Sequence, residues 1–237
     1  MSIEALQKHM RETFNKIRRW HIEAPLLRIF LRRDYKGPTI QLSHWIIPKL
    51  ESSTAYICYC AGVGEDIEFE LGLIKQFGAT VFAFDPTPRA IHYIQRNSPA
   101  LSTFKFLPVG LWSSDVVLQF FAPENPQHVS HSVFKEGMRE AYFDAPCKTL
   151  STLMNELGHT QIDVLKMNIE GAEYEVLKNM MAENIRPMVI ALTFEGSSAF
   201  VDAIRWTSKL RKYGYQFAGL NRWAATFVLG EADRLPV

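Results

Sequence analysis

The sequence lacks the features that mark secreted and membrane-inserted proteins. Only 3 of its 237 residues are cysteines, and free cysteine is common in protein cores. Cys58 and Cys60 share one face of a predicted strand, so a disulfide or zinc site is the minor alternative. No apolar run approaches the roughly 20 residues that a membrane helix needs. Reduced thiols, and residues 1–4 without a signal-peptide core, predict a cytoplasmic protein with no membrane partner.

The sequence also lacks an excess of either charge. Lysine and arginine together number 26, and aspartate and glutamate number 25, which gives a net charge of +1. A near-neutral chain has no general attraction to nucleic acid, so we expect no nucleic acid partner. The composition, 47% apolar and 22% charged, is that of a globular protein that can bury a full core.

Residues 56–67 are the stretch around which the rest is organised. An apolar, β-rich run reaches Gly62 and Gly64, and from Ile67 apolar residues recur at helical spacing. This pattern predicts a strand, a tight turn and the start of a helix. Glycines let a ligand approach the backbone, and free N–H groups at a helix start attract anions. A role in tight packing alone is the alternative, because the motif is short.

The end of the next predicted strand makes a cofactor site the better interpretation. Residues 80–84 are apolar and are followed by Asp85, about 20 residues past the glycines, where a carboxylate can accept the hydroxyls of a ribose. The site would bind an adenosine cofactor, either a dinucleotide or S-adenosylmethionine. A dinucleotide site would normally have a third glycine at position 67, where this sequence has Ile67.

Strands and helices alternate from about residue 54 onward, which predicts an α/β fold with a doubly wound, mostly parallel sheet. The dipeptide Asn221-Arg222 separates two closing strands and predicts an antiparallel terminal hairpin. We divide the chain into a basic helical arm or lid, 1–50, and a cofactor-binding domain, 51–237. A helix pair packed on the domain edge is favoured for the arm; a lid, a homodimer contact and a patch for an acidic partner are alternatives.

Ligands of such sheets bind at the carboxyl ends of the strands. We therefore expect a site formed by the residues that follow these ends: Cys60, Gly62, Gly64, Asp66, Asp85, Pro86, Thr87, Gly110, Leu111, Trp112, Asn168, Glu170 and Glu195. Residues 116–121 are predicted to be a strand that forms a hairpin with the strand at 104–109. Residues 122–146 are predicted to be a long loop, often a substrate loop in compact domains.

Residues 163–173 closely resemble the D-x-L-K-x-D-x-E-G-A-E block of FkbM-type S-adenosylmethionine-dependent methyltransferases. Residues 62–66, 84–87 and 109–112 resemble further blocks of that family, in the same order. The resemblance implies a class I methyltransferase fold, Rossmann-like with seven strands, and most often methylation of a hydroxyl oxygen. The chain departs from the family at Asn168, where Asp is usual, and at Tyr59 and Cys60, where class I enzymes often have an acidic residue.

Cofactor roles follow from this resemblance. The glycine loop would hold the methionine end of S-adenosylmethionine, and Asp85 would hold the ribose. Adenine would lie between Gly110, Leu111 and Trp112, and Asn168 would face the amino-acid part.

The catalytic roles are less determined by the sequence. His131, in the polar loop, is the first candidate base because imidazole titrates near neutral pH; a surface histidine is the alternative. Glu170, Glu195 and Asn168 are other candidates, and a divalent metal on these three is conceivable but not supported. His44 and His92 are interpreted as structural.

The sequence thus predicts methyl transfer to a hydroxyl of a small molecule, such as a sugar or natural product. An NAD-dependent oxidoreductase and a non-catalytic cofactor-binding module are the alternatives.

Overall fold

A seven-stranded sheet forms the centre of the molecule. The computed structural model describes residues 19–51, 55–123, 138–196 and 198–231. Within them the strands are β1 Thr39–Leu42, β2 Trp45–Pro48, β3 Ile57–Ala61, β4 Thr80–Phe84, β5 Phe104–Leu107, β6 Gly110–Leu111, β7 Val116–Pro123, β8 Met138–Lys148, β9 Val164–Met167, β10 Val189–Thr193, β11 Tyr215–Asn221 and β12 Ala224–Leu229. The helices are a π-helical turn Arg19–Glu23 and α1 Ala24–Phe30, α2 Glu68–Phe77, α3 Pro88–Asn97, α4 Leu150–Leu157, α5 Glu173–Ala182 and α6 Ala199–Lys212.

The strand order of the main sheet is β11-β12-β10-β9-β3-β4-β5. The pairs among β10, β9, β3, β4 and β5 are parallel, and β12 runs antiparallel to both of its neighbours. The chain leaves β3 toward one edge of the sheet and returns to its other side at β9, so the order switches between these two strands. The predicted α/β class, with seven mostly parallel strands and an antiparallel terminal hairpin, is confirmed.

The central strands are covered by apolar side chains on both faces, which is why their sequences are continuous apolar runs. On β3, Tyr59 packs into the cluster with Leu165, while Cys58 and Cys60 belong to the cluster on the opposite face with Val164. All three cysteines of the chain are buried and free. The two clusters hold the sheet rigidly and fix the positions of the loops that follow its strands.

A second, three-stranded sheet corrects two predictions. Strand β7 pairs with β8 rather than with β5, and β8 occupies residues that we predicted to be loop. Along β8, Ala145 and Cys147 are buried, whereas Asp144 and Pro146 are exposed. This alternation is typical of a strand, but the sequence analysis did not identify the strand because aspartate and proline are uncommon in strands. Residues 122 and 123 of the predicted loop belong to β7, and residues 124–137, including His131, lie outside the described residues.

The N-terminal region contains a hairpin, β1 and β2, that the sequence analysis did not identify. Trp45 and Ile47 of β2 are almost completely buried in one of the two main clusters. Pro25 lies in the first turn of α1. Residues 1–18 of the predicted arm lie outside the described residues, and the division of the chain at residue 50 stays a prediction. Within the described part, no helix has the length and apolar character to span a membrane.

Candidate active site

A cavity of about 240 Å³ lies at the carboxyl end of β3, β4 and β9. The structure brings together ten of the predicted site residues as its lining: Gly62, Gly64, Asp66, Asp85, Pro86, Thr87, Gly110, Leu111, Asn168 and Glu170. The lining also includes Val63 and Glu65 from the predicted glycine loop, and Ile169 and Ala172 from the block at 163–173. The sequence analysis missed the remaining lining residues, which are Phe84, Phe120 and Cys147. Phe120 and Cys147 come from β7 and β8, so they could not be found without the correct strand pairing.

The two glycines of the turn have different tasks. Gly62 has φ +78°, and a Cβ at this position would lie 1.9 Å from the backbone oxygen of Asn168. Gly64 has φ +59°, and a Cβ there would meet nothing within 4 Å. Gly62 therefore lets the loops after β3 and β9 approach each other, whereas Gly64 supplies the left-handed turn.

Asp85 joins the glycine turn to the next helix. Its carboxylate accepts hydrogen bonds from the Gly64 N–H (2.8 Å), the Thr87 N–H (2.9 Å) and the Thr87 hydroxyl (2.6 Å). The Thr87 hydroxyl oxygen in turn accepts a bond from the Ala90 N–H and so caps α3. Asp85 is 4% exposed and lines the cavity, and its Oδ2 accepts only one of these bonds. A carboxylate oxygen can accept two, so acceptor capacity remains toward the cavity.

A buried ion pair supports the turn from below. The Lys166 ammonium donates to the Gly62 carbonyl (2.7 Å) and lies 3.4 Å from Glu70 Oε1. The two side chains are 6% and 1% exposed. Cys60 lies beside Glu70, and burial raises the pKa of its thiol, with the charge of Glu70 acting in the same direction. The pair holds the glycine turn against β9 and α2.

Two of the predicted site residues do not reach the cavity. Cys60 is 0% exposed because its side chain points into the core beside Glu70. Trp112 is not among the residues that line the cavity, and it packs against the small cluster formed by β7 and β8. Its predicted role beside the adenine stays a prediction.

A hydrogen-bonded network lies under Asn168. Its Oδ1 accepts from the Thr193 hydroxyl (2.8 Å), which lies 3.2 Å from Glu173 Oε1. Glu173 also accepts from the N–H groups of Ile169 (2.7 Å) and Gly171 (2.9 Å). Burial raises the pKa of Glu173 to about 7, although these N–H groups oppose the shift. The network fixes the loop that carries Glu170, a residue with φ +55°.

Glu173 should make stability depend on pH. An unfolded glutamate loses its proton near its ordinary pKa of 4.5, whereas native Glu173 keeps it up to about pH 7. Between these values the native state binds more protons, so we expect the free energy of unfolding to fall as the pH rises, by about 3 kcal/mol in total. Urea unfolding from pH 5 to pH 8 measures this for the wild type and Glu173→Gln. Equal slopes in the two proteins would contradict the assignment.

A second cavity, of about 490 Å³, adjoins the first. Asn168 and Glu170 line both cavities, so the two meet at the loop after β9. The other residues that line the second cavity are His44, Thr193, Phe194, Glu195, Gly196, Asn221, Arg222, Trp223 and Ala224. Glu195 lies here, as its position at the end of β10 predicted. His44, interpreted as structural from the sequence, lies here too, because the β1–β2 hairpin carries it to this edge.

The side chains that line the first cavity fit a cofactor that contains adenosine and a polar group attached to it. Asp85 offers carboxylate oxygen for hydroxyls, and Leu111, Phe120 and Ile169 offer apolar surface for a flat ring. Glycine at 64 leaves the backbone of the turn open on that side. Among the described residues, no group of three His, Cys, Asp or Glu side chains could hold a metal ion.

Comparison with known families decides which class of protein this is. Residues 52–217 match the model of the methyltransferase FkbM domain. The chain belongs to the FkbM methyltransferase family. This is a family of S-adenosylmethionine-dependent enzymes, so the resemblance drawn from residues 163–173 is confirmed. Membership in it favours methyl transfer over the NAD-dependent alternative.

Known relatives of this FkbM domain are distant. The probable methyltransferase-like protein 24 of Rattus norvegicus is 28% identical over 138 residues, which cover 58% of this chain and 31% of that protein. The human counterpart is 27% identical over the same shares. The chain thus matches about a third of the length of these relatives.

Similar solved structures are methyltransferases as well. The METTL16 methyltransferase domain matches with 13% identity and a TM-score of 0.46, over 92% of this chain and 81% of that one. The N-terminal domain of human METTL16 was solved with S-adenosylhomocysteine (12% identity, TM-score 0.40, 90% and 81% covered). These likenesses are distant, with TM-scores below 0.5.

The expectation of no nucleic acid partner was wrong. The hMettl16 catalytic domain was solved in complex with the MAT2A 3'UTR hairpin 6 (14% identity, TM-score 0.37, 91% and 82% covered). A domain of the same fold class therefore binds RNA, and that fold class does not exclude a nucleic acid partner. Overall net charge cannot exclude one either, because contacts to phosphates depend on local arrangement of basic side chains.

Proposed function

We propose that this FkbM domain transfers a methyl group from S-adenosylmethionine to a hydroxyl oxygen of a small molecule, such as a sugar or natural product. The observation that carries the proposal is the direct hydrogen bond between the Gly64 N–H and Asp85 (2.8 Å). This bond places a glycine turn and an acidic strand end on one cavity at the switch in strand order, where α/β sheets bind adenosine cofactors.

Each part of the cavity would hold one part of the donor. The turn from Gly62 to Asp66 would contact the methionine end, and Asp85, with Pro86 and Thr87, would hold the ribose. Gly110 and Leu111 would flank the adenine, together with Phe120. When bound, the donor supplies a methyl group on a sulfonium that is already activated for displacement. The protein has to align the acceptor oxygen with it and remove a proton.

The second cavity supports a small acceptor. Its volume of about 490 Å³ falls in the range of small-molecule pockets. Asn221, Glu195 and Arg222 supply hydrogen-bonding groups, and Trp223 supplies aromatic surface. An acceptor bound there would meet the donor beside Asn168 and Glu170, where the two cavities join.

Asp85 provides the test of the donor site. We expect Asp85→Asn to weaken S-adenosylhomocysteine binding by roughly 10- to 100-fold, because a hydrogen bond to a charged acceptor contributes about 1.5–3 kcal/mol. Isothermal titration calorimetry measures this, with NADH as the competing cofactor class. Asp115→Asn is the matched control. Asp115 likewise accepts bonds from a loop N–H and a hydroxyl, those of Thr149 and Thr152, but it lies outside both cavities.

The outcomes separate the alternatives. Binding of S-adenosylhomocysteine that Asp85→Asn weakens and Asp115→Asn leaves unchanged supports the donor site. Binding of NADH alone, or of neither compound, would end the proposal. Transfer of a labelled methyl group to a panel of sugars and hydroxyl-bearing natural products then tests the acceptor class, with an RNA hairpin included. Donor binding without transfer to any of them would favour the non-catalytic module.

A further inference from the structure

His44 is a histidine that the tertiary structure brings to the lining of the second cavity. It lies in the two-residue turn between β1 and β2, more than 120 residues before Asn168 in the chain. It lines the second cavity together with Asn168 and Glu170, which also line the first. An acceptor in the second cavity would therefore lie between this imidazole and the donor site.

The turn that carries His44 is held in place. Ser43 has φ +49°, and the backbone oxygen of His44 accepts a hydrogen bond from the Asn221 side chain (2.8 Å). The ring packs on Trp45, with 5.1 Å between ring centroids, and Trp45 is 0% exposed. The buried Trp45 and the bond from the end of β11 thus fix the backbone of the turn that carries His44.

The ring nitrogens are distinguishable. Nδ1 lies 3.4 Å from the Ser43 hydroxyl, whereas Nε2 makes no hydrogen bond to any residue that the structure describes. The Ser43 hydroxyl can accept from Nδ1–H or donate to Nδ1, depending on the tautomer. In the tautomer in which Nδ1–H donates, Nε2 carries the lone pair and can accept a proton.

The groups around the ring favour its neutral form. Partial burial of the His44 ring lowers its pKa, and the positive charges of Lys166 and Arg222 lower it further, while Asp66 acts in the opposite direction. Glu170 and Glu195 also line the second cavity. A histidine with a lowered pKa is uncharged at neutral pH and able to accept a proton.

We propose that His44 is the general base of the methyl transfer, its Nε2 accepting the proton of the acceptor hydroxyl. The proposal rests on the proposed function. As the acceptor oxygen forms its bond to the methyl carbon, the sulfur–carbon bond breaks, and its electron pair stays on sulfur as S-adenosylhomocysteine. The hydroxyl proton goes to Nε2, and solvent removes it through the open second cavity.

Sinefungin tests this position without any acceptor. It is a donor analogue in which a carbon bearing an amine replaces the sulfur bearing the methyl group, so its positive charge would face His44. S-Adenosylhomocysteine has the same adenosine and amino-acid parts as sinefungin. The ratio of the two affinities therefore cancels any effect of pH on the binding of these shared parts. As the pH falls from 7.5 through the lowered pKa of His44 and the ring gains its proton, we expect sinefungin to weaken relative to S-adenosylhomocysteine by roughly 5-fold.

Three variants complete the calorimetric test. In His44→Gln, the affinity ratio should no longer change with the protonation of residue 44. In His44→Lys, the affinity for sinefungin should be lower than in the wild type at every pH. His92→Gln, on the exposed side of α3, should behave as the wild type. A flat ratio in the wild type, or an unchanged pH dependence in His44→Gln, overturns the proposal while leaving the donor site intact. If neither ligand binds the wild type, the proposed function fails and this proposal fails with it.

Methyl transfer gives the second readout. With an acceptor identified in the panel, His44→Gln should lower kcat by roughly 10²-fold or more, while S-adenosylhomocysteine affinity stays within about 2-fold. An unchanged kcat would show that another group takes the proton.

Discussion

Gly62→Ala should destabilise the protein by at least about 3 kcal/mol, because the new methyl group and the left-handed backbone act in the same direction. The added Cβ would lie 1.9 Å from the Asn168 oxygen and 2.6 Å from its carbonyl carbon. These are backbone atoms at the end of a central strand, where relief requires β3 and β9 to separate. Urea unfolding at pH 7 measures the loss, and S-adenosylhomocysteine binding should be lost with it.

Gly64→Ala is the matched control. It lies two residues away with a similar φ of +59°, but nothing lies within 4 Å of its added Cβ. We expect only the left-handed backbone penalty, about 1–2 kcal/mol. Equal destabilisation by the two substitutions would contradict the assignment, since it would mean that backbone conformation rather than close approach explains Gly62.

Lys166→Met should destabilise the protein by about 3–5 kcal/mol, because it leaves the Glu70 carboxylate buried without its cation. Glu70 is 1% exposed, and the ammonium that faces it also donates to the Gly62 carbonyl. The free energy of unfolding from urea titration measures the effect. The glycine turn should loosen too, so S-adenosylhomocysteine binding should weaken in the same variant.

The double variant Lys166→Met with Glu70→Leu separates the pair from the packing. Apolar side chains of similar volume in place of a buried ion pair are often neutral or stabilising. We expect the double variant to recover most of the stability that the single variant loses. It should not recover ligand affinity fully, because the bond to the Gly62 carbonyl stays absent. A double variant less stable than the single one would show that Glu70 has a different partner.

These two predictions concern the same small region. Gly62 allows the loops after β3 and β9 to contact each other. Lys166 stabilises this contact by donating a hydrogen bond to the Gly62 carbonyl. Asp85, at the end of β4, accepts a hydrogen bond from the Gly64 N–H and so links the turn to β4. The donor cavity is therefore formed by side chains and backbone that also hold the sheet together at its switch point. Mutations here should affect stability and ligand binding together, whereas a change at His44 should affect only proton transfer.

The sequence by itself determined the main sheet and the donor side of the site. Those elements are local patterns: an apolar strand followed by a glycine turn, a strand ending in Asp85, and the block at 163–173. Each pattern specifies a strand end, and the rules of parallel sheets bring such ends to one edge. The cytoplasmic location expected from the sequence stays a prediction.

Only the tertiary structure decided the remaining walls and the candidate base. Phe120 and Cys147 line the cavity because β7 pairs with β8. Trp112 packs against the cluster of the same sheet and is not among the lining residues. His44 reaches the site through a hairpin whose contacts lie far along the chain. Such pairings depend on packing between distant segments, and no local pattern of residues encodes which distant segment a strand or turn will meet.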